Sequence, residues 1–269
     1  MIDKRERFRD LHRDGLFVMP NAWDVGSARL LASVGFQAIA TTSSGHAASL
    51  GKGDMQVTRD ELLAHVEALV GAVDVPVSVD AERCFAENPA GVAQTVELIA
   101  AAGAAGCSIE DYDPATDAID AIDNATERVA AAVEAAHRHG MVLTARAENH
   151  LHGIDDLDDT IERLRAYRAA GADCIYAPGL IDPAAIERVV QAVDAPVNVL
   201  AMRRGPSVPE LAALGVRRVS TGGGLARVAY GALLAAAREL HETGTYEYLD
   251  QAVSGSDLEA ALAAGRKTG

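Results

Sequence analysis

Short apolar runs alternate along the chain with longer amphipathic segments. The short runs are rich in Val, Ile, Leu and Ala and are typical of buried β-strands, whereas the longer segments carry the spacing of helices that bury one face. Glycines at positions 35, 103, 140, 171 and 215 end helical segments, because glycine adopts the positive φ of a helix C-cap. The predicted strands are 16–19, 38–41, 75–79, 106–109, 141–145, 174–177, 196–200 and 217–220.

Eight strands, each followed by a helix at intervals of roughly 30 residues, predict an α/β fold of the (β/α)8 TIM-type barrel class. The rival architecture is an open doubly wound sheet, but no G-x-G-x-x-G follows the first strand. The predicted helices between the strands are 25–34, 59–70, 91–101, 125–139, 157–169, 183–191 and 209–213.

A final helix, 228–243, follows the eighth strand, and a C-terminal helical tail covers 244–269 with a further helix at 256–264. No low-complexity linker divides the chain, so 1–269 is expected to form one barrel domain. The tail exceeds what closing a barrel needs. It is therefore expected either to be swapped onto a neighbouring subunit of a homo-oligomer, a dimer or tetramer, or to cap its own barrel.

Composition narrows the classes of partner. A formal net charge of −15 argues against binding to nucleic acid or to an anionic membrane surface. Three cysteines without a C-x-x-C spacing argue against a disulfide framework. The N-terminus lacks the apolar run of a signal peptide, and no apolar stretch is long enough to span a bilayer. We therefore expect a soluble cytoplasmic protein.

Candidate chemistry lies where the strands end, because barrel active sites lie at the carboxyl ends of the strands. Asp80 and Glu82 close the third strand, and an i, i+2 pair in a strand points to one side. Two carboxylates held together repel unless a cation lies between them. The other strand ends carry Asn21, Trp23, Ser43, Ser44, Gly45, Glu110, Asp111, Arg146, Glu148, Asn198 and the glycines 222–224.

Carboxylates of Asp80, Glu82 and Glu110 are the oxygen ligands that a hard cation such as Mg²⁺ prefers, and no His/Cys cluster has zinc-like spacing. Arg146 offers a planar fork for a substrate carboxylate or phosphonate, or else pairs structurally with Glu110 or Glu148.

Several neighbouring residues have two interpretations. Ser43, Ser44 and Gly45 supply backbone N–H groups in a turn, which suits an anion. Trp23 is either a packing anchor or a wall of the substrate site. The glycines 222–224 resemble a barrel phosphate loop, which alone would suggest a phosphate-binding isomerase. Asp111 is open to a simple exposed-loop interpretation, and Cys84 would need an activating partner to act as a nucleophile.

These motifs together resemble the isocitrate lyase/phosphoenolpyruvate mutase superfamily, and in particular its short bacterial members, the carboxyphosphonoenolpyruvate phosphonomutase-like proteins. The resemblance runs through nearly the whole chain. Its motifs are N-A-W-D-V-G-S-A-R at 21–29, T-T-S-S-G-H-A-A-S-L-G-K-G-D at 41–54, S-V-D-A-E at 78–82, S-I-E-D at 108–111, A-R-A-E-N at 145–149, Y-A-P-G-L at 176–180 and P-V-N-V-L at 196–200.

The resemblance implies a Mg²⁺-dependent enzyme, with Mn²⁺ as an alternative metal, that binds a 2-oxo acid and reacts through an enolate. Carried over by position, Asp80, Glu82 and Glu110 would hold the metal, directly or through water. Asp54 would order the site and act in catalysis with Arg146 and Glu110. The substrate would be gripped by Trp23, Ser43, Ser44, Gly45, Arg146 and Asn198.

Departures from the family pattern bear on the substrate. The second metal-site acid is Glu82 where mutases and lyases usually have Asp, and Arg83, Cys84 and Phe85 replace the Gly-Tyr-Gly that commonly follows. Arg83 is expected either to contact an anion or to turn outward. The Lys-Lys-Cys-Gly-His lid of the isocitrate and methylisocitrate lyases is missing, and the acidic loop 111–123 lacks the Lys- and Asn-containing segment of phosphonate-forming members.

We therefore expect a Mg²⁺-dependent lyase that cleaves a C–C bond of a small 2-oxo or 2-hydroxy dicarboxylate. The alternatives are P–C bond chemistry, as in a phosphonomutase or phosphonopyruvate hydrolase, and a non-catalytic binder of 2-oxo acids.

Overall fold

Parallel strands form a nearly closed barrel in the computed structural model, which describes residues 3–267. Met1, Ile2, Thr268 and Gly269, at the two ends of the predicted domain, lie outside the described residues. The strands are β1 (Phe17–Met19), β2 (Asn21–Ala22), β3 (Ile39–Thr41), β4 (Val77–Asp80), β5 (Gly106–Glu110), the hairpin β6 (Tyr112–Asp113) and β7 (Ala118–Ile119), β8 (Val142–Arg146), β9 (Cys174–Tyr176), β10 (Val197–Leu200) and β11 (Arg218–Ser220).

The first barrel strand is interrupted at Pro20 and closes the ring. Its first half, β1, pairs with β11, and its second half, β2, pairs with β3. The sheet order β1-β11-β10-β9-β8-β5-β4-β3-β2 is parallel throughout, so eight barrel positions follow one another in chain order. The predicted (β/α)8 barrel is confirmed.

Helices surround the barrel, and most of them begin and end where the sequence predicts. α2 opens with a capping box between Asp24 and Ser27, and it ends at Gly35, whose φ is 101°. The helices are α1 (Lys4–Asp10), α2 (Val25–Val34), α3 (Ser43–Ser49), α4 (Arg59–Ala72), α5 (Pro89–Ala101), α6 (Ile122–Arg138), α7 (Leu157–Ala169), α8 (Pro183–Ala192), α9 (Val208–Ala213), α10 (Gly224–Glu242) and α11 (Gly255–Ala264).

Two helices were not predicted. α1 is almost entirely charged, and its one buried side chain, Phe8, packs against Gly106 of β5. Five arginine and lysine side chains in and near such a segment do not produce an apolar stripe, so periodicity gives no helical signal. α3 consists of small and polar residues, which equally predict a turn.

The barrel interior is polar near its centre. Arg218 on β11 is buried and donates hydrogen bonds to Asn198 Oδ1 (2.9 Å) and Thr144 Oγ1 (2.9 Å). Its third partner is His12, in the segment after α1. Because His12 Nε2 accepts from Arg218 (3.1 Å), Nδ1 carries the proton and donates to the Phe8 carbonyl oxygen (2.8 Å).

The C-terminal tail packs on its own chain. α11 lies against α2, where a side chain on Gly265 would collide with the Arg29 backbone, and the Lys267 N–H donates to the Ala72 carbonyl oxygen (2.9 Å). α10, in contrast, buries only Ala226 and leaves Leu233 and Leu234 exposed. Within the described residues the tail therefore packs on its own chain, whereas the preceding helix stands largely in solvent; a swap between subunits stays a prediction.

Among the helices of residues 3–267, none combines the length and the apolar character that crossing a bilayer requires.

The buried His12 predicts a specific acid sensitivity. Burial, followed by the Arg218 charge, lowers the pKa of His12 to about 3 in the folded protein. The unfolded chain binds this proton near pH 6.5. The stability that the folded protein gains from keeping His12 neutral is therefore complete above that pH and is lost as the pH falls toward 3. We expect up to about 3 kcal/mol of this loss between pH 7 and pH 4.

Urea unfolding of wild type and His12→Gln across pH 4–8 checks this expectation. The variant should be less stable at pH 7 but should lose less free energy of unfolding on acidification. Parallel curves for the two proteins would contradict a neutral His12 in the folded state.

Candidate active site

A cavity of about 740 Å³ opens at the carboxyl ends of the barrel strands, where barrels of this class place their active sites. All eight barrel positions contribute to its lining. Of the residues predicted for the site, Ser43, Ser44, Asp54, Asp80, Arg146 and Asn198 line the cavity. Trp23, Gly45, Glu82 and Glu110 lie outside the lining.

Arg146, the last residue of β8, is the centre of an ion-pair cluster. Its Nη1 lies 2.7 Å from Asp80 Oδ1 and 3.1 Å from Glu110 Oε2, and its Nε lies 2.7 Å from Glu148 Oε1. Burial by itself would lower the pKa of Arg146, but the three carboxylates outweigh it and the pKa is raised well above the ordinary value. The structural pairing of Arg146 with Glu110 and Glu148 is therefore confirmed. Arg146 also lines the cavity, and its part in substrate binding stays a prediction.

Asp80 is fixed on both of its oxygens. Oδ1 accepts from Arg146, and Oδ2 accepts from the Ser43 backbone N–H (3.1 Å). The Asp80 N–H donates to Thr41 Oγ1 (2.8 Å), which ties the end of β4 to the end of β3. Thr41 was not singled out from sequence, because a lone threonine inside a strand gives no functional signal.

Glu82 is not placed as strand alternation predicts. β4 ends at Asp80, and Glu82 lies in the following turn with φ of 49°, so the i, i+2 rule does not apply to this pair. Glu82 is buried beside the cavity. Burial, then Asp80 and then Asp54, raise its pKa to about 8. Glu110 is also buried, and burial raises its pKa well above the ordinary value.

The segment predicted as an open anion-binding turn is the first turn of α3. Thr42 caps this helix, and the Gly45 N–H donates to Thr42 Oγ1 (3.4 Å), while the Ser43 N–H is taken by Asp80. The expectation of freely accessible N–H donors is therefore wrong for Ser43 and Gly45. Ser43 and Ser44 still line the cavity.

Trp23 and Gly45 pack on each other. A Cβ on Gly45 would lie 3.0 Å from Trp23 Cβ and 2.6 Å from Thr42 Cγ2, so only glycine fits there. The half-buried Trp23 ring lies 6.4 Å from the ring of Tyr230 on α10. This position matches the packing alternative for Trp23, and its part in substrate binding stays a prediction.

Asp54 and Asn198 both line the cavity. Asp54 follows α3, and burial followed by the Asp80 charge raises its pKa. Asn198 on β10 donates to Ser220 Oγ (2.9 Å) and accepts from Arg218, so its side-chain amide orients the arginine inside the barrel.

Asp111 is buried, and the expectation of an exposed loop residue was wrong. Its Oδ1 accepts from the Glu148 N–H (2.9 Å), and its Oδ2 accepts from Tyr167 Oη (2.6 Å) and from Arg163 (3.3 Å). These bonds hold the backbone of Glu148 and, through it, one partner of Arg146.

Arg83 neither contacts an anion in the cavity nor turns outward. Its guanidinium is buried and donates to both oxygens of Asp120 (2.8 Å each), and its carbonyl oxygen accepts from Arg128 (2.8 Å). It thereby joins the turn after β4 to the acidic loop after β5. The neighbouring Cys84 is fully buried, and burial raises the pKa of its thiol to about 12, which excludes a thiolate nucleophile at neutral pH.

The donors near Arg146 suit a hard cation by chemistry. Asp80, Glu82 and Glu110 supply only carboxylate oxygens, and a divalent cation would stabilise charges that burial and mutual repulsion oppose. Within residues 3–267, no group of three or more His, Cys, Asp or Glu side chains is arranged as a complete metal cage. Mg²⁺ does not require one, because it usually keeps several waters beside one or two carboxylates.

The sequence profile described as phosphoenolpyruvate phosphomutase matches residues 8–241, so the chain belongs to this family. An uncharacterized protein of Mycobacterium tuberculosis is 35% identical over 95% of each chain. An oxaloacetate decarboxylase of Rhodopseudomonas palustris is 31% identical over 72% of this chain and 70% of the relative.

Solved structures of similar proteins support the same family. A Burkholderia cenocepacia protein provisionally named a lyase/mutase is 52% identical, with a TM-score of 0.93 over 97% of this chain and 96% of that one. A 2,3-dimethylmalate lyase (27% identity, TM-score 0.85) and a phosphonopyruvate hydrolase bound to oxalate and Mg²⁺ (25%, 0.86) each cover 97% of this chain and 95% of theirs. The predicted family is confirmed, and the chain is an enzyme of this lyase and mutase superfamily.

Removing the Arg146 charge should destabilise the fold in a pH-dependent way. Arg146→Ala leaves Glu110 and Glu148 buried without a counter-charge, which we expect to cost about 3–5 kcal/mol at pH 8. Arg146 opposes the effect of burial on the pKa of both carboxyls, so its removal raises these pKa values further. The unfolded chain then releases the protons first, and the loss grows as the pH rises from 5 to 8.

Chemical denaturation at pH 5 and pH 8 measures this effect. The control is Arg165→Ala, which removes an exposed arginine that donates to the Ala192 carbonyl oxygen and should cost less than about 1 kcal/mol at both pH values. A loss for Arg146→Ala that is the same at both pH values would show that the cluster does not bury these charges.

Proposed function

We propose that this chain is a divalent-metal-dependent lyase that cleaves a C–C bond of a small 2-oxo or 2-hydroxy dicarboxylate through an enolate. The observation that carries the proposal is the cavity at the strand ends in which Asp80 and Arg146 meet. The relatives named as oxaloacetate decarboxylase and 2,3-dimethylmalate lyase support C–C bond chemistry.

Asp80, Glu82 and Glu110 would hold Mg²⁺, or Mn²⁺ in its place, directly or through water. When bound, such a cation supplies Lewis-acid polarisation of the 2-oxo group and stabilises negative charge on oxygen. The relative solved with oxalate and Mg²⁺ supports this choice of metal.

The chain's own residues would bind and orient the substrate. Arg146 presents a guanidinium whose direction is fixed by three carboxylates, and such preorganised groups stabilise developing charge without reorganising. Ser43, Ser44 and Asn198 offer hydroxyl and amide groups along the lining. Asp54 would order the site near Asp80. Trp23 and Gly45 would shape the substrate site at the start of α3.

Two alternatives remain as outcomes of the test. P–C bond chemistry has a relative in the phosphonopyruvate hydrolase. In this chain, however, Asp120 of the loop 111–123 accepts a hydrogen bond from the buried Arg83. A non-catalytic binder would follow if no proton donor serves the cavity, since the buried Cys84 thiol lies outside its lining.

Metal and 2-oxo acid should stabilise the protein together. With Mg²⁺ and oxalate at about 100 times the dissociation constant, we expect about 2.7 kcal/mol of added stability, seen as a rise of several degrees in Tm. Asp80→Ala should abolish the rise, whereas the exposed Asp14→Ala should keep it. An unchanged wild-type melting curve would reject the metal site.

The same preparations then receive oxaloacetate, alkylmalates and phosphonopyruvate with and without Mg²⁺. Metal-dependent formation of pyruvate or another 2-oxo acid from a C–C substrate is the expected result. Turnover of phosphonopyruvate alone would replace the lyase by P–C chemistry, and binding without any turnover would replace it by a binder.

We also propose a homo-oligomer. The support is the outer side of α10 and the following segment, where apolar side chains are exposed without a partner in the described part of the chain. These side chains are Leu233, Leu234, Leu240, Tyr246, Leu249 and Val253.

Light scattering after size exclusion should give a dimer or tetramer of the 28.1 kDa chain. Leu233→Glu combined with Leu234→Glu should lower the mass toward the monomer, because two charges replace apolar contact area. Val34→Glu, an equally exposed position on α2, serves as the control and should leave the mass unchanged. A monomeric wild type would refute the proposal.

A further inference from the structure

Two histidines outside the cavity lining stack on each other between α3 and α4. The centroids of the His46 ring on α3 and the His65 ring on α4 are 3.7 Å apart, and the ring planes are tilted by 14°. Both residues are buried, with exposures of 8% and 7%. Neither takes part in the proposed chemistry, so the stack is a pair of titratable groups without an assigned role.

The stack holds ring nitrogens that lack partners. Both nitrogens of His46 and Nε2 of His65 are buried, and they form no hydrogen bond within residues 3–267. Two neutral imidazoles stack as aromatic rings, whereas protonation would place a buried charge against the second ring. The geometry therefore favours the neutral form of both side chains.

Charged groups face the stack from each neighbouring segment. Asp24 caps α2, Glu61 lies on α4, and Lys52 follows α3. Both carboxylates already have other partners, because Asp24 caps its helix through its side chain and Glu61 accepts from Lys52 Nζ. Neither carboxylate hydrogen-bonds the buried nitrogens of the stack, so an imidazolium there would lack a direct counter-charge.

Burial lowers the pKa of both histidines. For His65, burial and then the His46 ring lower the pKa to about 3. For His46, burial lowers the pKa and outweighs the backbone groups of Trp23 and Glu61. Released from the stack, both rings bind protons near pH 6.5. The stability that the neutral stack supplies is therefore complete above that pH and is lost as the pH falls.

The stack bears on the cavity because α3 carries groups that line it. Ser43 and Ser44 lie in the first turn of α3, and the Ser43 N–H donates to Asp80 Oδ2 (3.1 Å). α3 has only seven residues, and helices of that length have little stability of their own. Its position therefore depends on side-chain contacts such as that between His46 and His65.

We propose that His46 and His65 are positioning residues that hold α3, and with it Ser43 and Ser44, at the cavity, and that their protonation in acid releases this helix. The pair is thus an acid-sensitive latch between α3 and α4. The latch goes beyond the proposed function, since it opens without substrate, and only its effect on substrate binding rests on that function. For His65 alone, acidification from pH 7 to pH 4.5 should raise the equilibrium constant for opening about 75-fold.

Trp23 reports on the latch. It is the only tryptophan of the chain, and it packs against Gly45 of α3. Its emission maximum and its quenching by acrylamide are measured from pH 8 to pH 4, while far-UV circular dichroism monitors global unfolding. In wild type we expect a red shift and stronger quenching between about pH 5.5 and pH 4, with the dichroism retained.

Ring-preserving variants isolate the two histidines. His46→Phe combined with His65→Phe keeps two aromatic rings and removes the titrating nitrogens, so its emission should match wild type at pH 7 and should not shift down to pH 4. His65→Phe alone is the milder variant, and its midpoint should fall by about 0.5 pH unit or more. His65→Ala removes the ring and should show the red-shifted emission already at pH 7.

The matched control is His139→Phe, the same exchange at an exposed histidine that ends α6, and its midpoint should equal that of wild type. The latch would be overturned by equal midpoints in wild type and the Phe variants. It would also be overturned if wild type showed no red shift above pH 4, or a red shift that coincided with loss of the dichroism.

Calorimetric binding of oxalate with Mg²⁺ tests the consequence for the site. At pH 7 the double Phe variant should bind within about twofold of wild type, and at pH 5 wild type should have lost about fivefold more affinity than the variant. Equal losses would overturn the positioning role. Absence of oxalate binding in wild type at both pH values would reject the proposed metal site instead, and the Trp23 emission would then decide the latch.

Discussion

The ion pairs of Arg146 are the interaction on which the cavity depends. Asp80, Glu110 and Glu148 come from the ends of three neighbouring strands, β4, β5 and β8, and each contacts the same guanidinium. Without the guanidinium of Arg146, the charged carboxylates could not lie together in a buried rim. The strand ends would separate, or the carboxylates would take up protons. The cluster therefore sets both the local charge and the relative positions of the strand ends.

The opposite side of the barrel follows a different rule. Arg218 is held by an asparagine, a threonine and a histidine rather than by acids, so its position is fixed while its charge remains available. The cavity thus has one side where three carboxyl groups surround a single guanidinium, and another side where a guanidinium is held by neutral groups.

Periodicity and glycine stops predicted the barrel because both are local signals: α2 and α7 have the predicted bounds, and Gly35 ends its helix as expected. Strand-end reasoning also placed Asp80, Arg146 and Asn198 at the cavity. The alternation rule does not describe Glu82, because its strand stops two residues earlier and its φ becomes positive. The contacts of Asp111 and Arg83 join residues far apart in sequence, and no local pattern announces such pairs.

The Arg83 contact with Asp120 has a consequence for engineering. It joins residues 37 apart in sequence and links the turn after β4 to the loop after β5, so each loop contributes a partner to the other. Replacing either loop alone with that of a relative would leave a buried guanidinium or a buried carboxylate without its partner. A chimera with a relative must therefore exchange both segments together.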